Sequence, residues 1–373
     1  MPPPDEQGRK GSARTGLVEV VRLFGWLGVV GVGGPAAHIA TMRRRVVERG
    51  NWVSEDEFAR MVGACALVPG PNSTEMAMAL GGKRAGWRGL LAGGVAFIVP
   101  AFAIVCAVAW LYEDVVTSAV IEDLRRWLVP VVAAIVLDAV WSLRKVAVRD
   151  SRDVVVVVVA VIGAALGITE LLMLLLVGVA AMVLRAKPSG RISSLVVVPT
   201  IAAIVSPSLT KIFLVFLQIG SVIYGSGYVL LVFLESEVVN RGWISTEVLL
   251  DAISVGQFTP GPVFTTATFI GWHLDGFAGA TVATLGIFAP SFVFAALIGR
   301  VVMWSRRSSG FAAFLRGVSS GSIALMLVVM WRLADEAFVD AAAAAVFIAA
   351  FVLIRFGVLR AVVRAVRGGR SAS

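Results

Sequence analysis

Two Pro-Gly-Pro triplets, Pro69-Gly70-Pro71 and Pro260-Gly261-Pro262, mark where this chain is best equipped for chemistry. Hydroxyl side chains follow each of them: Ser73 and Thr74 after the first, Thr265, Thr266 and Thr268 after the second. Proline ends a helix by removing an N–H and crowding the preceding turn. Asn72-Ser73-Thr74-Glu75 then reads as the opening of a new helix, with Asn72 as its cap and Glu75 three residues on. A helix N-terminus presents unpaired N–H groups and the positive end of its dipole, which together attract an anion. The hydroxyls add donors without adding charge, and donors arriving from several directions suit a small tetrahedral oxyanion. The competing duty of such hydroxyls is to satisfy local backbone.

Glu75 is the most informative single residue. A carboxylate inside a bilayer is costly unless paired or protonated, and when ionised it repels an anion. Paired, it would use an arginine such as Arg84; protonated, it would admit the anion and couple the two by linkage. Its counterparts in the second copy of the motif are the uncharged Thr265 and Thr266. Two glycine-rich breaks accompany the triplets: Gly31-Val32-Gly33-Gly34-Pro35-Ala36-Ala37-His38 and Tyr224-Gly225-Ser226-Gly227-Tyr228. Glycine there permits unwinding or close helix approach. His38 has the chemistry of a proton relay or anion donor, although a lone histidine more often serves structure. Asp138 and Gln257 face the bundle interior if they lie within the membrane, and neither has an obvious partner in sequence.

Other chemistries lack their residues. Cys65 and Cys106 read as small apolar fillers, and with His38 and His273 they are too few and scattered for a disulfide framework or a zinc site. No HExxH occurs, and no histidine stands beside a cysteine or serine nucleophile. The expectation is therefore no enzyme, no cofactor and no metal.

The elements that must position these residues are membrane helices. Of 373 residues, 58% are hydrophobic and 15% charged, with a mean hydropathy of +0.89, against about 25% charged in soluble domains. The net charge of +9 lies in short clusters between apolar runs, a membrane pattern and not a nucleic-acid one. Apolar segments fall at about 17–42, 89–111, 127–143, 154–184, 208–234, 276–303, 313–331 and 341–354. Segment 154–184 is too long for one span, and Gly167-Ile168-Thr169-Glu170 divides it into a tight helical hairpin. Residues 1–16 read as a disordered tail, 17–190 as a first repeat, 191–207 as a linker, 208–354 as a second repeat and 355–373 as a basic tail.

The repeats are visible on inspection. VVERGNWVSEDEFARMVGACALVPGP, ending at Pro71, aligns without a gap with SEVVNRGWISTEVLLDAISVGQFTPGP, ending at Pro262. Trp52 falls on Trp243, Ser54 on Ser245 and, after a shift of one, Gly81, Gly86, Gly89 and Pro100 on Gly271, Gly276, Gly279 and Pro290. Equivalent loops carry opposite charge: RRRVVER at 43–49 against ESEVVNR at 235–241, and GGKRAGWR at 81–88 against GWHLDG at 271–276. Basic loops stay cytoplasmic, so the halves are expected in opposite orientation, the inverted-repeat architecture of secondary transporters. The chain between the basic loops 43–49 and 81–88 must leave and return to one side, which predicts a re-entrant helical hairpin capped by Ser54 and tipped by Pro69-Gly70-Pro71. Trp52 and Trp243 fit the interfacial level. The fold expected is an all-α polytopic membrane protein of roughly nine spans and two re-entrant hairpins.

At GGPAAHIA, VPGPNSTE, YGSGYVLL and TPGPVFTTATFIG the sequence resembles the chromate ion transporter family in its long, two-domain form, over nearly all of residues 17–354. The resemblance implies a multi-pass bacterial inner-membrane protein that exports chromate and confers resistance, with isosteric sulfate as competitor. It implies functional positions at Gly34, Pro35, His38, Pro69, Gly70, Pro71, Asn72, Ser73, Glu75, Arg84 and Gly86. In the second half these are Gly225, Gly227, Tyr228, Gln257, Pro260, Gly261, Pro262, Thr265 and Thr266. The residues alone reach an inverted-repeat transporter for an anion; chromate comes from the resemblance. The full reading places Asn72, Ser73, Thr74, Thr265, Thr266, Gly70, Gly261, Gln257, Tyr228, His38 and Arg84 at the substrate, Glu75 at the proton, and the remaining glycines and prolines at hinges. Partners are chromate, membrane lipids and, as an assembly the reading admits, a second copy in a homodimer; no nucleic acid. The alternative is a sulfate or other oxyanion transporter, or an anion channel, of the same architecture.

Overall fold

The computed structural model describes residues 6–32, 34–66, 68–115, 127, 129–138, 140–141, 144, 148, 150–166, 168, 170–185, 207–223 and 229–368. Among these residues the chain is helical with no strand. The first half runs through α1 (Glu6–Val30), α2 (Gly34–Arg43), a π-helical turn (Arg44–Arg49), α3 (Glu55–Cys65) and α4 (Asn72–Val115). A helical stretch Val129–Asp138 follows, then α5 (Ser151–Ala165) and α6 (Glu170–Arg185). The second half repeats the order with α7 (Leu209–Val222), α8 (Val229–Leu234), a π-helical turn (Glu235–Val239), α9 (Thr246–Phe258) and α10 (Thr266–Arg307). It ends in α11 (Ser309–Ala337) and α12 (Ala341–Gly368).

Both long helices fold back on themselves. Ala85 and Gly86 leave helical geometry within α4, as Asp275 and Gly276 do within α10, with Gly86 at φ +65° and Gly276 at φ +52°. Beyond each turn the arms press together at glycine: a Cβ on Gly81 or Gly89 would collide with the other's carbonyl, and the same holds for Gly271 and Gly279. Arm 72–84 thus lies against 87–115, and 266–274 against 277–307. The first arms descend from the triplets, so each triplet is the tip of a helical hairpin formed with α3 or α9.

The halves are antiparallel. α4 and α10 pack at the centre, with α1 along α4 and α7 along α10. Phe102 meets Phe277 with ring centroids 5.9 Å apart, whereas Gly94, earlier in α4, faces the ring of Phe292, later in α10. The two arms therefore run in opposite directions, and the turns at Gly86 and Gly276 lie at opposite ends of the central pair. The inversion expected from loop charge is thus present as geometry.

Among the described residues, three helices are long and apolar enough to cross a membrane: Asn72–Tyr112, Val263–Ile298 and Ser309–Val328. The first two contain the fold-back, so only their second arms serve as spans. The shorter apolar helices Val129–Asp138, Leu172–Val183, Leu209–Val222 and Ala341–Phe356 would bring the number among the described residues to seven. Val99, Leu285, Val293 and Leu353 are more than half exposed, as a lipid-facing surface demands. α5 and α6 form the hairpin expected at 154–184, with Asp150 and Asp153 making a reciprocal capping box at its start. α1 begins at Glu6 and so extends into the segment expected as a tail, just as α12 runs on to Gly368 through most of the basic tail. The expected linker falls almost entirely outside the described residues.

Candidate functional site

Each hairpin is started by the serine that the alignment pairs. Ser54 Oγ accepts from the Glu57 amide at 3.2 Å, and Ser245 Oγ from the Val248 amide at 3.3 Å. The Glu57 carboxylate does not return to complete the box; it pairs with Lys83 Nζ at 2.6 Å. At the tips, Gly70 has φ +133° and Gly261 φ +100°, backbone that side chains rarely adopt. The Gly70 amide donates to the Ile223 carbonyl at 2.8 Å, where α7 ends. The Gly261 amide donates to the Gly31 carbonyl, also at 2.8 Å, where α1 ends. Each tip is therefore held by the broken helix of the opposite half.

The surroundings of the tips differ. A Cβ at Gly261 would strike Ala101 and come within 3.3 Å of the Gly28 carbonyl. A Cβ at Gly70 would strike the Glu75 carboxylate and lie 3.0 Å from Ser291 Oγ. After the second tip, Thr265 Oγ1 donates to the Pro262 carbonyl and Thr266 Oγ1 to the Val263 carbonyl, both at 2.8 Å, and Thr268 and Thr284 share a hydroxyl bond of 2.7 Å. The hydroxyl protons of Thr265 and Thr266, expected as donors to an anion, are thus committed to backbone. At the first tip Thr74 Oγ1, both Glu75 oxygens and Ser291 Oγ are buried without a hydrogen-bond partner. Leaving such a group unpaired costs about 1–3 kcal/mol, so Glu75 and Ser291 beside Gly70, with Thr74 next to Glu75 in the chain, need a reason.

The first helix after the tip starts at Asn72, which occupies its first position and not its cap. The Pro71 carbonyl closes that turn, accepting from the Thr74 amide at 2.8 Å and the Glu75 amide at 3.1 Å. Ser73 is buried beside Thr74 and Glu75, while Asn72 is half-buried. Cys65, at the end of α3, lies within electrostatic reach of the Glu75 carboxylate.

Arg84 is not the partner of Glu75. Its guanidinium bonds Glu19, with Nη2 at 2.8 Å and Nε at 2.9 Å, and lies over the Trp52 ring at 5.7 Å. The fold-back carries Arg84 one arm's length from the tip to the turn at Gly86, out of reach of Glu75. His38 is buried, its Nε2 donating to the Gly31 carbonyl at 2.8 Å and its ring edge-on to Phe97. It thus shares with Gly261 the carbonyl that pins the second tip, while its Nδ1 has no partner. Gly34, with φ +74°, and Pro35 open α2 immediately after the break. Gln257 lines a small cavity with Thr266, Val263 and Leu230, on the second-tip side. Asp138 approaches Arg355 at 3.7 Å, a partner far off in sequence. Gly225, Gly227 and Tyr228 lie outside the described residues.

Ser291 is the residue that sequence reasoning missed. It follows Pro290 in an apolar run, and a lone serine there carries no periodic signal. The alignment held the available clue: Pro290 matches Pro100, so Ser291 stands where the first half has Ala101.

Comparison with known proteins agrees with this duplicated architecture. A probable chromate transport protein of Synechococcus elongatus is 30% identical over 334 residues, covering 85% of this chain and 85% of that protein. A chromate transport protein of Cupriavidus metallidurans is 28% identical over 357 residues, 91% of this chain and 89% of that protein. One of Pseudomonas aeruginosa is 27% identical over 320 residues, 80% of this chain and 76% of that protein. No solved structure matches. The family model described as chromate transporter matches twice, over residues 18–184 and 210–369, once on each half of the fold. The chain belongs to the chromate transporter family.

Proposed function

We propose that this protein is a secondary transporter, not an enzyme, that exports chromate across a bacterial inner membrane by alternating access. The observation that carries the reading is the reciprocal hold of the two tips. Each half's hairpin tip is bonded to the other half's broken helix, so a movement of one half against the other passes through both tips, as alternating access in inverted repeats requires. The relatives named as chromate transport proteins support the substrate. Outward direction follows from a negative-inside potential, worth about 2.3 kcal/mol per charge per 100 mV and twice that for a dianion. Glu75, buried and without a partner at the first tip, serves as the proton site: neutral, it admits the anion; ionised, it repels it.

Uptake of labelled chromate into everted vesicles, with sulfate and molybdate as competitors, tests the reading. Saturable, potential-driven uptake is expected. A flux that does not saturate favours a channel, sulfate outcompeting chromate makes this a sulfate carrier, and absence of any chromate flux overturns the transport assignment.

A further inference from the structure

We propose that Ser291, on the central helix of the second half, is an oxyanion-binding residue, which makes the substrate site a single one at the first tip, built across the boundary between the repeats. The inference rests on the transport reading and assigns the residue and the place.

A buried serine in a helix ordinarily turns its hydroxyl onto the carbonyl four residues back. Three buried serines in helix interiors do so here: Ser254 bonds Leu250 at 2.9 Å, Ser320 bonds Arg316 at 3.0 Å and Ser322 bonds Val318 at 3.0 Å. Ser291 does not, although it is fully buried. The carbonyl four residues back, that of Ile287, is pressed against Gly220 of α7. The Ser291 hydroxyl instead faces Gly70, alongside Glu75. Thr74, on the helix that leaves this tip, adds a second fully buried hydroxyl without a partner. A hydroxyl from each half therefore flanks the start of one helix, and both protons are free to turn towards a ligand oxygen. Neither is a cation, so the pair recognises an oxyanion by donor geometry. At the second tip the position of Ser291 is taken by Ala101, and the threonine hydroxyls are already bonded.

The test uses the full-length chain in everted vesicles, with chromate as the probe. Ser291→Ala is expected to raise the KM for chromate by roughly tenfold or more, as loss of a hydrogen bond to a charged group does, with maximal rate changed by less than about twofold. Ser291→Thr, which keeps the hydroxyl, should restore the KM, and Ala101→Ser should leave it unchanged. If the alanine variant inserts poorly, the near-isosteric Ser291→Cys is measured in its place, with the same rise expected. An unchanged KM in the variant lacking the hydroxyl overturns the proposal, as does a fall in KM for Ala101→Ser. Equilibrium dialysis of labelled chromate against the detergent-solubilised protein separates the two readings. A wild type that binds chromate through Ser291 but does not move it sinks transport alone; a wild type that moves chromate indifferently to Ser291 sinks only this inference.

Discussion

At the first tip, Thr74, Glu75 and Ser291 keep buried polar atoms without partners; at the second, Thr265 and Thr266 give their hydroxyls to carbonyls three residues back. Yet the backbones agree: both tip glycines lie at positive φ, both amides donate across the molecule at 2.8 Å, and both first arms turn at a glycine that matches in the alignment. Duplication has preserved what bends and holds the chain while the polar chemistry has gathered in one copy. A second asymmetry runs the other way. Gln218, Glu237 and Arg241 form a bonded cluster in the second half, where the first half has Leu27, Val46 and Gly50 at the aligned positions. There every charge is answered, so the cluster holds structure and leaves nothing for a ligand.

The comparison can be broken most severely at the shared backbone. Gly70→Ala and Gly261→Ala should each destabilise the protein by about 3 kcal/mol or more, since positive φ and lack of space act together. Thermal unfolding in detergent checks this, and a tolerated Gly261→Ala would show that the tips are not equivalent scaffolds. Glu75→Gln comes next: the fold should keep or gain stability, by up to roughly 3 kcal/mol as a buried carboxylate is removed, while the pH dependence of chromate flux disappears. Flux as pH-dependent as in wild type would remove Glu75 from proton coupling.

Thr265→Val combined with Thr266→Val would weaken an oxyanion site shared by both tips. With these hydroxyls bonded to backbone, the expected outcome is instead a loss of about 1 kcal/mol of stability per hydrogen bond and an unchanged KM for chromate. A raised KM would restore the second tip to the site. The smallest effect belongs to the interface of the first half, where Arg43 holds the Glu55 carboxyl, and Lys83 the Glu57 carboxyl, below the ordinary carboxylate range. A lowered carboxylate pKa contributes stability above the ordinary value and loses it as pH falls through the lowered one. Acidification to about pH 5 should therefore leave both pairs intact. Lys83→Met should lower stability slightly near neutral pH and make unfolding less dependent on acidification in a pH series; the aligned positions in the second half, Val248 and His273, hold no such pair.

What the sequence disclosed is what acts locally. Pro69-Gly70-Pro71 must end a helix wherever it is placed, Ser54 and Ser245 can cap only the helices they precede, and two matched sets of glycines and prolines imply two matched sets of bends. Loop charge disclosed orientation because membranes sort it. Hidden were the facts that need two distant segments to meet. The Arg84–Glu19 pair, the approach of Arg355 to Asp138 and the exposure of Ser291 to Gly70 each depend on how helices cross. The hydroxyls of Thr265 and Thr266 show the reverse case: their type suits a ligand, and a carbonyl three residues back accepts their protons.

The reciprocal hold of the tips also orders events on the ribosome. The Gly70 amide has no acceptor until Ile223 has been synthesised, and the Gly31 carbonyl waits still longer for Gly261. His38 bonds the same carbonyl from within the same segment of the chain. The tip of the first half can therefore be fastened only once residues of the second half are present.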